Sequence, residues 1–186
     1  MAATPTTQIP LGFKAPAFDL PDTISGNHKS YADIKGEKGT VVVFICNHCP
    51  FVIHIMEELV AVATEYNAQG FGFVFISSND VINYPQDGPE MMKEFAAKYD
   101  MSCPYLYDES QDVARAYDGA CTPDFSVFDN NDLAVYRGQF DGSRPGNNVV
   151  VNGEDLREVL DTLKAGDVVS SEGQRPSIGC NIKWKS

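Results

Sequence analysis

Continuous apolar stretches frame a helical pattern in the first half of the chain. Thr40 to Ile45 and Phe71 to Ile76 are β-branched and aromatic with no polar alternation, which is typical of strands covered on both faces. After Pro50, apolar residues recur at helical spacing, which predicts a helix with Gly70 at its C-terminal cap. The two strands and the helix between them predict a parallel crossover.

The second half of the chain continues with shorter elements. Apolar spacing and turn residues predict a helix from Pro89, an edge strand, a short helix capped by Ser110, a β-hairpin and a last helix capped by Asn152. The hairpin strands are Asp124 to Phe128 and Leu133 to Arg137. This order predicts an α/β fold with a central mixed β-sheet and helices on both faces.

The chain length predicts a single domain over residues 1–186, because about 150 residues is typical of one domain. The Thr- and Pro-rich residues 1–16 predict an irregular arm. Residues 167–186 form a tail that contains Trp184, the only tryptophan of the chain. Because a disordered tail rarely needs a large aromatic residue, we expect its end to dock on the domain.

Composition and charge exclude several classes of function. Hydrophobic residues are 43% and charged residues 22%, as in soluble globular proteins. The longest apolar run, Val41 to Cys46, is far shorter than the ~18 residues of a membrane helix. The formal net charge of −12 argues against nucleic acid or an anionic membrane as the main partner. No secretory signal is visible at the N-terminus, so we expect a cytoplasmic protein.

The candidate chemistry lies in the cysteines, of which the chain has five, an odd number that does not fit a framework of structural disulfides. Cys46 and Cys49 stand in the sequence Cys-Asn-His-Cys-Pro, where a buried strand meets a helix. Because a helix N-terminus stabilises an anion, we expect a depressed pKa and a nucleophilic role for the thiol of Cys46. Cys49, about one turn further, lies within reach to close a disulfide. On this interpretation His48 stabilises the thiolate of Cys46 further and makes the disulfide more oxidising.

Two other interpretations of the motif remain open. The cysteines are also compatible with a pair of buried thiols without function. They are compatible with half of a metal site as well, which Cys121 and Cys180 would complete in space, because zinc and iron–sulfur sites need about four ligands. The position at a strand-to-helix junction favours redox chemistry, so the sequence predicts neither a metal nor a cofactor.

Several separate sequence segments, spread over about residues 10–186, carry a further resemblance. They are FICNHCP (44–50), ISSNDVINYPQDGPEMMKEFA (76–96), PYLYDESQ (104–111), CTPDFSVFD (121–129), YRGQFDGSRPGN (136–147) and IGCNIKWK (178–185). Together they resemble the peroxiredoxin-like family of thioredoxin-fold proteins, within the alkyl hydroperoxide reductase/thiol-specific antioxidant superfamily.

The resemblance implies a thioredoxin fold, in which a cis-proline faces the paired cysteines and offers a backbone edge to the substrate. Thr122 and Pro123 stand at the matching position, and an X-Pro bond is the one place where a cis peptide costs little. The implied function is antioxidant thiol chemistry. Peroxiredoxin relatives often dimerise, so the resemblance includes a homodimer among the options.

The chain also departs from the usual active-site sequences of peroxiredoxins and of thioredoxins. The proline and hydroxyl residue that precede a peroxidatic cysteine in typical peroxiredoxins are absent, and Cys-Thr-Pro-Asp replaces their arginine before the next-to-last strand. The tryptophan before the first cysteine of thioredoxins is Ile45 here, and their buried acid is Thr40. These departures argue against efficient peroxide reduction and leave His48 as the nearest candidate for proton transfer to the second cysteine.

The leading hypothesis is therefore a thiol–disulfide oxidoreductase in which Cys46 attacks and Cys49 resolves, with protein or small-molecule thiols and disulfides as partners. One alternative is a thiol-dependent peroxidase, with peroxides as substrates, that uses Cys46 or Cys49. The other is a metal-binding module of thioredoxin fold. Cys121 either resolves an intermediate at the pair or packs as a small buried residue. Cys180 is either a third thiol or, as the sequence favours, a packed apolar residue.

Overall fold

The computed structural model describes residues 3–186. In chain order, the strands are β1 (Ala3–Pro5), β2 (Asp19–Pro21), β3 (His28–Ser30), β4 (Gly39–Phe44), β5 (Phe71–Ser77), β6 (Tyr105–Tyr107), β7 (Cys121–Thr122), β8 (Asp124–Phe128), β9 (Ala134–Gly138) and β10 (Ile178–Asn181). The helices are α1 (Tyr31–Ile34), α2 (Pro50–Asn67), α3 (Pro89–Lys98), α4 (Asp112–Ala116) and α5 (Glu154–Ala165), with a 3₁₀ turn at Pro85–Asp87. Within residues 3–186, none of the helices combines the length and the apolar character needed to cross a bilayer.

Five strands form the central sheet, in the order β6-β5-β4-β8-β9. β5 pairs in parallel with β4 and β6, whereas β8 pairs antiparallel with β4 and β9. Every residue of β4 and β5 is buried, because packed elements cover both faces of these strands. The predicted α/β fold with a mixed central sheet is confirmed.

Alternate residues of β4 divide between two apolar cores. Val41 and Val43 point to the side of α2, α3 and α5, whereas Val42 and Phe44 point to the side of α1 and α4. The end of β4 is thus fixed by close packing on both faces, and it carries the next residues of the chain to a defined position.

A second sheet has three strands in the order β1-β10-β7. Both pairings are antiparallel, with Cys180 opposite Ala3 on one side and opposite Thr122 on the other. The prediction of an irregular arm over residues 1–16 is therefore wrong for Ala3–Pro5, which hydrogen-bonding to β10 makes an extended strand. Met1 and Ala2, which the same prediction included, lie outside the described residues.

Residues that follow β10 contact the rest of the chain through their backbone and through Trp184. The backbone N–H of Lys183 donates to Oδ1 of Asn79 at 2.8 Å, and the N–H of Asp80 donates to the carbonyl of Lys183 at 2.8 Å. The guanidinium of Arg115 lies 5.0 Å from the centre of the Trp184 ring. The end of the chain is thereby tied to the segment between β5 and α3.

Three helix boundaries differ from the sequence prediction by one or two residues, and one of them is the N-cap of α4, which is Gln111 and not Ser110. Ala68 caps the C-terminus of α2, and Gly70 instead adopts a φ of 97° in the turn before β5. Gly153 is the N-cap of α5, although Oδ1 of Asn152 accepts the N–H of Glu154 at 3.1 Å. The predicted residues lie next to the helix ends, and only the exact position of each end differs.

Candidate active site

Cys46 and Cys49 lie where β4 passes into α2. β4 ends at Phe44, and Cys49 is the N-cap residue of α2, followed by Pro50 at the first helical position. The carbonyl of Cys49 accepts the backbone N–H of Val52 at 3.0 Å. The expectation that Cys46 occupies the helix N-terminus is wrong, because the helix begins only after Cys49.

Thr122 contacts both sulfurs. Sγ of Cys46 lies 3.4 Å from Oγ1 of Thr122, and Sγ of Cys49 lies 3.2 Å from the carbonyl oxygen of Thr122, to which its thiol form donates. The peptide bond between Thr122 and Pro123 is cis. Cys46 is 1% exposed and Cys49 is 0% exposed. The two thiols are therefore enclosed between the start of α2 and β7.

His48 contacts a buried carboxylate. Its Nδ1 lies 2.7 Å from Oδ2 of Asp87, and its ring stacks on Tyr84 with an interplanar angle of 7°. Nδ1 makes no hydrogen bond to the carboxylate in spite of this distance, so the contact is a close approach of the two groups. Asp87 is 0% exposed and accepts the N–H of Asn47 at 2.9 Å and Nδ2 of Asn79 at 2.8 Å. Asp87 and Tyr84 thus hold His48 beside the pair.

Negative charge in the pair is favoured at Cys49. Its pKa is lowered to about 5, first because its thiolate form accepts the S–H of Cys46 and further because that form accepts the S–H of Cys180, although burial opposes this. The pKa of Cys46 is raised well above the usual value, because its S–H donates to Cys49, because it is buried and because Asp87 is nearby. The carbonyl of Thr122 favours the thiol form of Cys49, and the donors outweigh it.

This distribution corrects the sequence prediction of a depressed pKa for Cys46 with help from His48. The helix N-terminus and the S–H donors surround Cys49 instead. His48 contacts Asp87, whose negative charge opposes ionisation of Cys46.

The side chain of Cys121 points away from the pair. It precedes Thr122 in β7, and successive side chains of a strand point to opposite faces. Its Sγ lies 3.9 Å from Oγ1 of Thr6 and donates to the carbonyl of Pro123 at 3.7 Å. Burial raises the pKa of this thiol far above its usual value. This orientation does not favour a role for Cys121 in resolving intermediates at the pair.

Cys180 lies against the pair instead. Because it stands opposite Thr122 in the pairing of β10 with β7, the two side chains share one face. Its sulfur lies 2.8 Å from Sγ of Cys49. The sequence favoured a packed residue here, and the structure places a third thiol next to the motif.

Three groups at the site have the donor types of a metal centre. A sulfur of Cys46, a nitrogen of His48 and an oxygen of Asp87 all lie within 4.8 Å of one another. Both oxygens of Asp87 already accept hydrogen bonds, from Asn47 and Asn79, and a structural zinc site needs four ligands. The arrangement therefore fits a redox site better than a closed metal site.

A narrow groove runs beside Pro123. Phe51 and His54 of α2 line one side, and Arg144 and Ile178 are among the residues of the other. The guanidinium of Arg144 donates to the carbonyls of Asp141 and Ser143 and to Oε1 of Gln139, so its own loop holds it in place.

Sequence reasoning missed Asp87. It lies in the Asn-, Asp- and Pro-rich residues 79–88, where a polar turn is the ordinary interpretation and nothing signals a buried carboxylate. For Cys180 a signal was present, because Ile182 and Trp184 near it give the end of the chain an apolar character.

Comparisons with known proteins agree with this architecture. Residues 11–140 match the AhpC/TSA family. No curated protein matches the chain. A conserved protein of known structure from Geobacillus kaustophilus is 52% identical, with a TM-score of 0.97 over 100% of this chain and 97% of that one. A hypothetical protein from Sinorhizobium meliloti is 44% identical, with a TM-score of 0.95 over 98% and 99% of the two chains. A secreted disulfide oxidoreductase from Mycobacterium tuberculosis shares the fold at 18% identity, with a TM-score of 0.58 over 78% and 95%.

Proposed function

The chain belongs to the AhpC/TSA family of thioredoxin-fold oxidoreductases, and from this premise we propose that it is a thiol–disulfide oxidoreductase that works through a Cys46–Cys49 disulfide. The observation that carries the proposal is the contact of both sulfurs with Thr122 where β4 meets α2. A thiol of low pKa beside a second thiol is the arrangement that thiol–disulfide exchange needs.

Cys46 is the attacking thiol in this proposal. Cys49 is enclosed by the carbonyl of Thr122 and the sulfur of Cys180, whereas Cys46 is followed by the partly exposed Asn47 and His48. As Cys46 attacks a substrate disulfide, its proton passes to the Cys49 thiolate. A bond forms between Sγ of Cys46 and one substrate sulfur, and the other substrate sulfur leaves as a thiolate.

Cys49 then resolves the mixed disulfide. The departed substrate thiolate takes the proton of Cys49, whose sulfur attacks Sγ of Cys46 and releases the second substrate sulfur as a thiolate. The substrate disulfide gains two electrons, and the two thiols of the protein become one disulfide. A dithiol reductant reverses these steps.

The groove beside Pro123 is too narrow to enclose a substrate, so a thiol or disulfide substrate would lie on the surface above it. Phe51 and Ile178 supply apolar surface there, and Arg144 supplies a positive charge. A cytoplasmic location, a homodimer and an antioxidant role remain predictions of the sequence.

A redox titration tests the proposal. The chain is equilibrated in dithiol/disulfide buffers, its free thiols are alkylated, and the modified cysteines are mapped by peptide mass. We expect a reversible Cys46–Cys49 disulfide at a defined potential. Cys49→Ser is expected to accumulate a mixed disulfide on Cys46, and Cys46→Ser to lose exchange with substrate, with Cys103→Ser as the matched control. Full exchange activity in Cys46→Ser would show that the roles are assigned wrongly.

A thiol-dependent peroxidase is the second candidate, and burial of both sulfurs favours it because a hydroperoxide is small. Cys46 would pass its proton to the Cys49 thiolate and attack the O–O bond, which breaks to give a sulfenic acid on Cys46 and an alkoxide or hydroxide. The leaving oxygen would take the proton of Cys49, whose thiolate would then attack Sγ of Cys46 and release hydroxide, which solvent protonates to water. The buried Arg137 is bound to the carbonyls of Tyr117 and Asp118 and does not supply the missing peroxiredoxin arginine. Stopped-flow consumption of hydrogen peroxide decides this, since a rate no faster than that of a free thiol excludes the activity.

A further inference from the structure

A third sulfur is built into the site. Sγ of Cys180 lies 2.8 Å from Sγ of Cys49, and Cys180 is only 3% exposed. The group that Cys180 is placed to react with is therefore Cys49.

The fold holds Cys180 in this place from two sides. β10 lies between β1 and β7, so its backbone is bonded on both edges. At Gly179, a Cβ atom would lie 1.9 Å from the carbonyl oxygen of Thr122. Glycine at this position lets β10 approach β7 closely enough for Cys180 to reach the sulfur that Thr122 also contacts.

We propose that Cys180 is a third redox-active thiol, which moves the disulfide of this site from Cys46–Cys49 to Cys49–Cys180. The inference rests on the function proposed above, because the Cys46–Cys49 disulfide is its starting state.

The step is an internal exchange with no net oxidation. Cys180 loses its proton and attacks Sγ of Cys49, a Cys49–Cys180 bond forms, and the Cys46–Cys49 bond breaks. Cys46 leaves as a thiolate and takes up the proton that Cys180 released. The substrate disulfide has already supplied the oxidation, and a dithiol reductant returns the two electrons afterwards.

The proton balance favours neither disulfide strongly. Cys180 and Cys46 are 3% and 1% exposed, so the thiol that is free in either disulfide form is buried, and burial disfavours its thiolate. The exchange therefore replaces one thiol that holds its proton tightly with another, and leaves no uncompensated charge in the core.

The exchange changes what the oxidised protein presents to its surroundings. Before it, both sulfurs of the motif are bonded to each other. After it, the disulfide joins Cys49 to Cys180, and Cys46 is again a free thiol beside the partly exposed Asn47 and His48. An oxidised molecule can then bind a second disulfide substrate covalently.

Mapping of the oxidised chain tests the proposal. The reduced protein is oxidised with excess oxidised glutathione, quenched in acid, labelled on its free thiols at low pH, and digested for mass spectrometry. We expect peptides linked through Cys46–Cys49 and through Cys49–Cys180, with the label divided between Cys180 and Cys46. If Cys46–Cys49 is the only linkage among these three residues and Cys180 is fully labelled, the inference is overturned while the proposed function stands. If no disulfide forms among them, both fail.

Two variants sharpen the result. Cys180→Ser keeps a hydrogen-bond donor beside Cys49 and is expected to contain only Cys46–Cys49, whereas Cys121→Ser, which removes a buried thiol on the other face of β7, is expected to keep both linkages. The equilibrium constant for oxidation by glutathione gives a second readout. If half of the oxidised wild-type molecules carry Cys49–Cys180, that constant is about twofold larger than in Cys180→Ser. If half of the oxidised molecules carry Cys49–Cys180 and the wild type and Cys180→Ser still have equal constants, the exchange is contradicted.

Discussion

Of the five cysteines, Cys49 alone is placed to ionise below neutral pH. Its pKa is about 5, whereas those of Cys103 and Cys180 are raised to about 11 and about 12 by burial. Those of Cys46 and Cys121 are raised as well. The reduced chain is therefore predicted to form one thiolate, with a midpoint near pH 5, when its ultraviolet thiolate absorbance is followed from pH 4 to 8.

The perturbation is Cys46→Ala, which removes the S–H donor that contributes most to the low pKa of Cys49. The midpoint is predicted to move up from about 5 toward the ordinary value of 9.0. At pH 7, a thiol with a pKa of 5 is roughly 99% ionised and one with a pKa of 9 is roughly 1% ionised. Cys46→Ser, in which an O–H donor replaces the S–H, is predicted to show a smaller shift.

Alkylation rates at neutral pH would hide this change. A thiolate becomes less nucleophilic as its pKa falls, and over four pKa units this loss is roughly 40-fold to 100-fold, which nearly cancels the gain in thiolate fraction at pH 7. At pH 5 the thiolate fractions differ far more, and Cys49 of the wild type is expected to react on the order of 100-fold faster than Cys49 of Cys46→Ala. Absorbance is therefore the primary assay, and alkylation at pH 5 with peptide mapping is the second.

The outcome that refutes the reasoning is a step near pH 5 that persists in Cys49→Ser. The charge would then lie on Cys46 and the donors around Cys49 would not control it. A linked effect on stability has a defined sign. Because the folded pKa of Cys49 lies below the ordinary value of 9.0, its thiolate stabilises the fold fully above pH 9, and this contribution is lost as the pH falls from 9.0 to about 5.

Three further substitutions test the surroundings of the pair. Thr122→Val removes a hydroxyl that lowers the pKa of Cys46, so in a Cys49→Ser background the formation of the mixed disulfide is predicted to slow. The same substitution is predicted to lower the free energy of unfolding by about 1 kcal/mol. An unchanged rate would show that the hydroxyl has no influence on Cys46. Asp87→Asn removes a negative charge near Cys46 and is predicted to lower the pKa of Cys46, measured as the rate of alkylation against pH. It is also predicted to destabilise the buried site by about 2 kcal/mol in urea unfolding. A higher pKa of Cys46 in this variant would contradict the effect assigned to Asp87. Asp124→Asn leaves the guanidinium of Arg137 buried without its anion and is predicted to cost about 3–5 kcal/mol in urea unfolding. Asp112→Asn, which breaks the exposed pair with Arg115, is its control and is expected to cost less than about 1 kcal/mol.

The elements that the sequence predicted well are those whose patterns are local. β4 and β5 are buried along their whole length, so their apolar runs carry no polar alternation and are easily recognised. The helical spacing after Pro50 survives in α2 because one face of that helix packs on the sheet. The position of the Cys46–Cys49 motif follows from β4 and α2, because residues 45–49 connect these two elements.

The neighbours of the motif could not be predicted in the same way. Cys180 reaches Cys49 through the pairing of a two-residue strand with a four-residue strand far along the chain. A register shifted by one residue would turn Cys121 toward the pair and Thr122 away from it. The sequence offers no periodicity over so short a strand, so the choice between Cys121 and Cys180 as third thiol depended on the tertiary structure.

Access to the pair and the position of Cys180 are linked through the segment between β5 and α3. Asp87 and Tyr84 of this segment hold His48 beside Cys46, and Asn79 accepts the backbone N–H of Lys183, just beyond β10. Asp87 accepts the N–H of Asn47, next to Cys46, and Nδ2 of Asn79, so one hydrogen-bonded chain joins the loop that carries Cys46 to the strand that carries the third thiol.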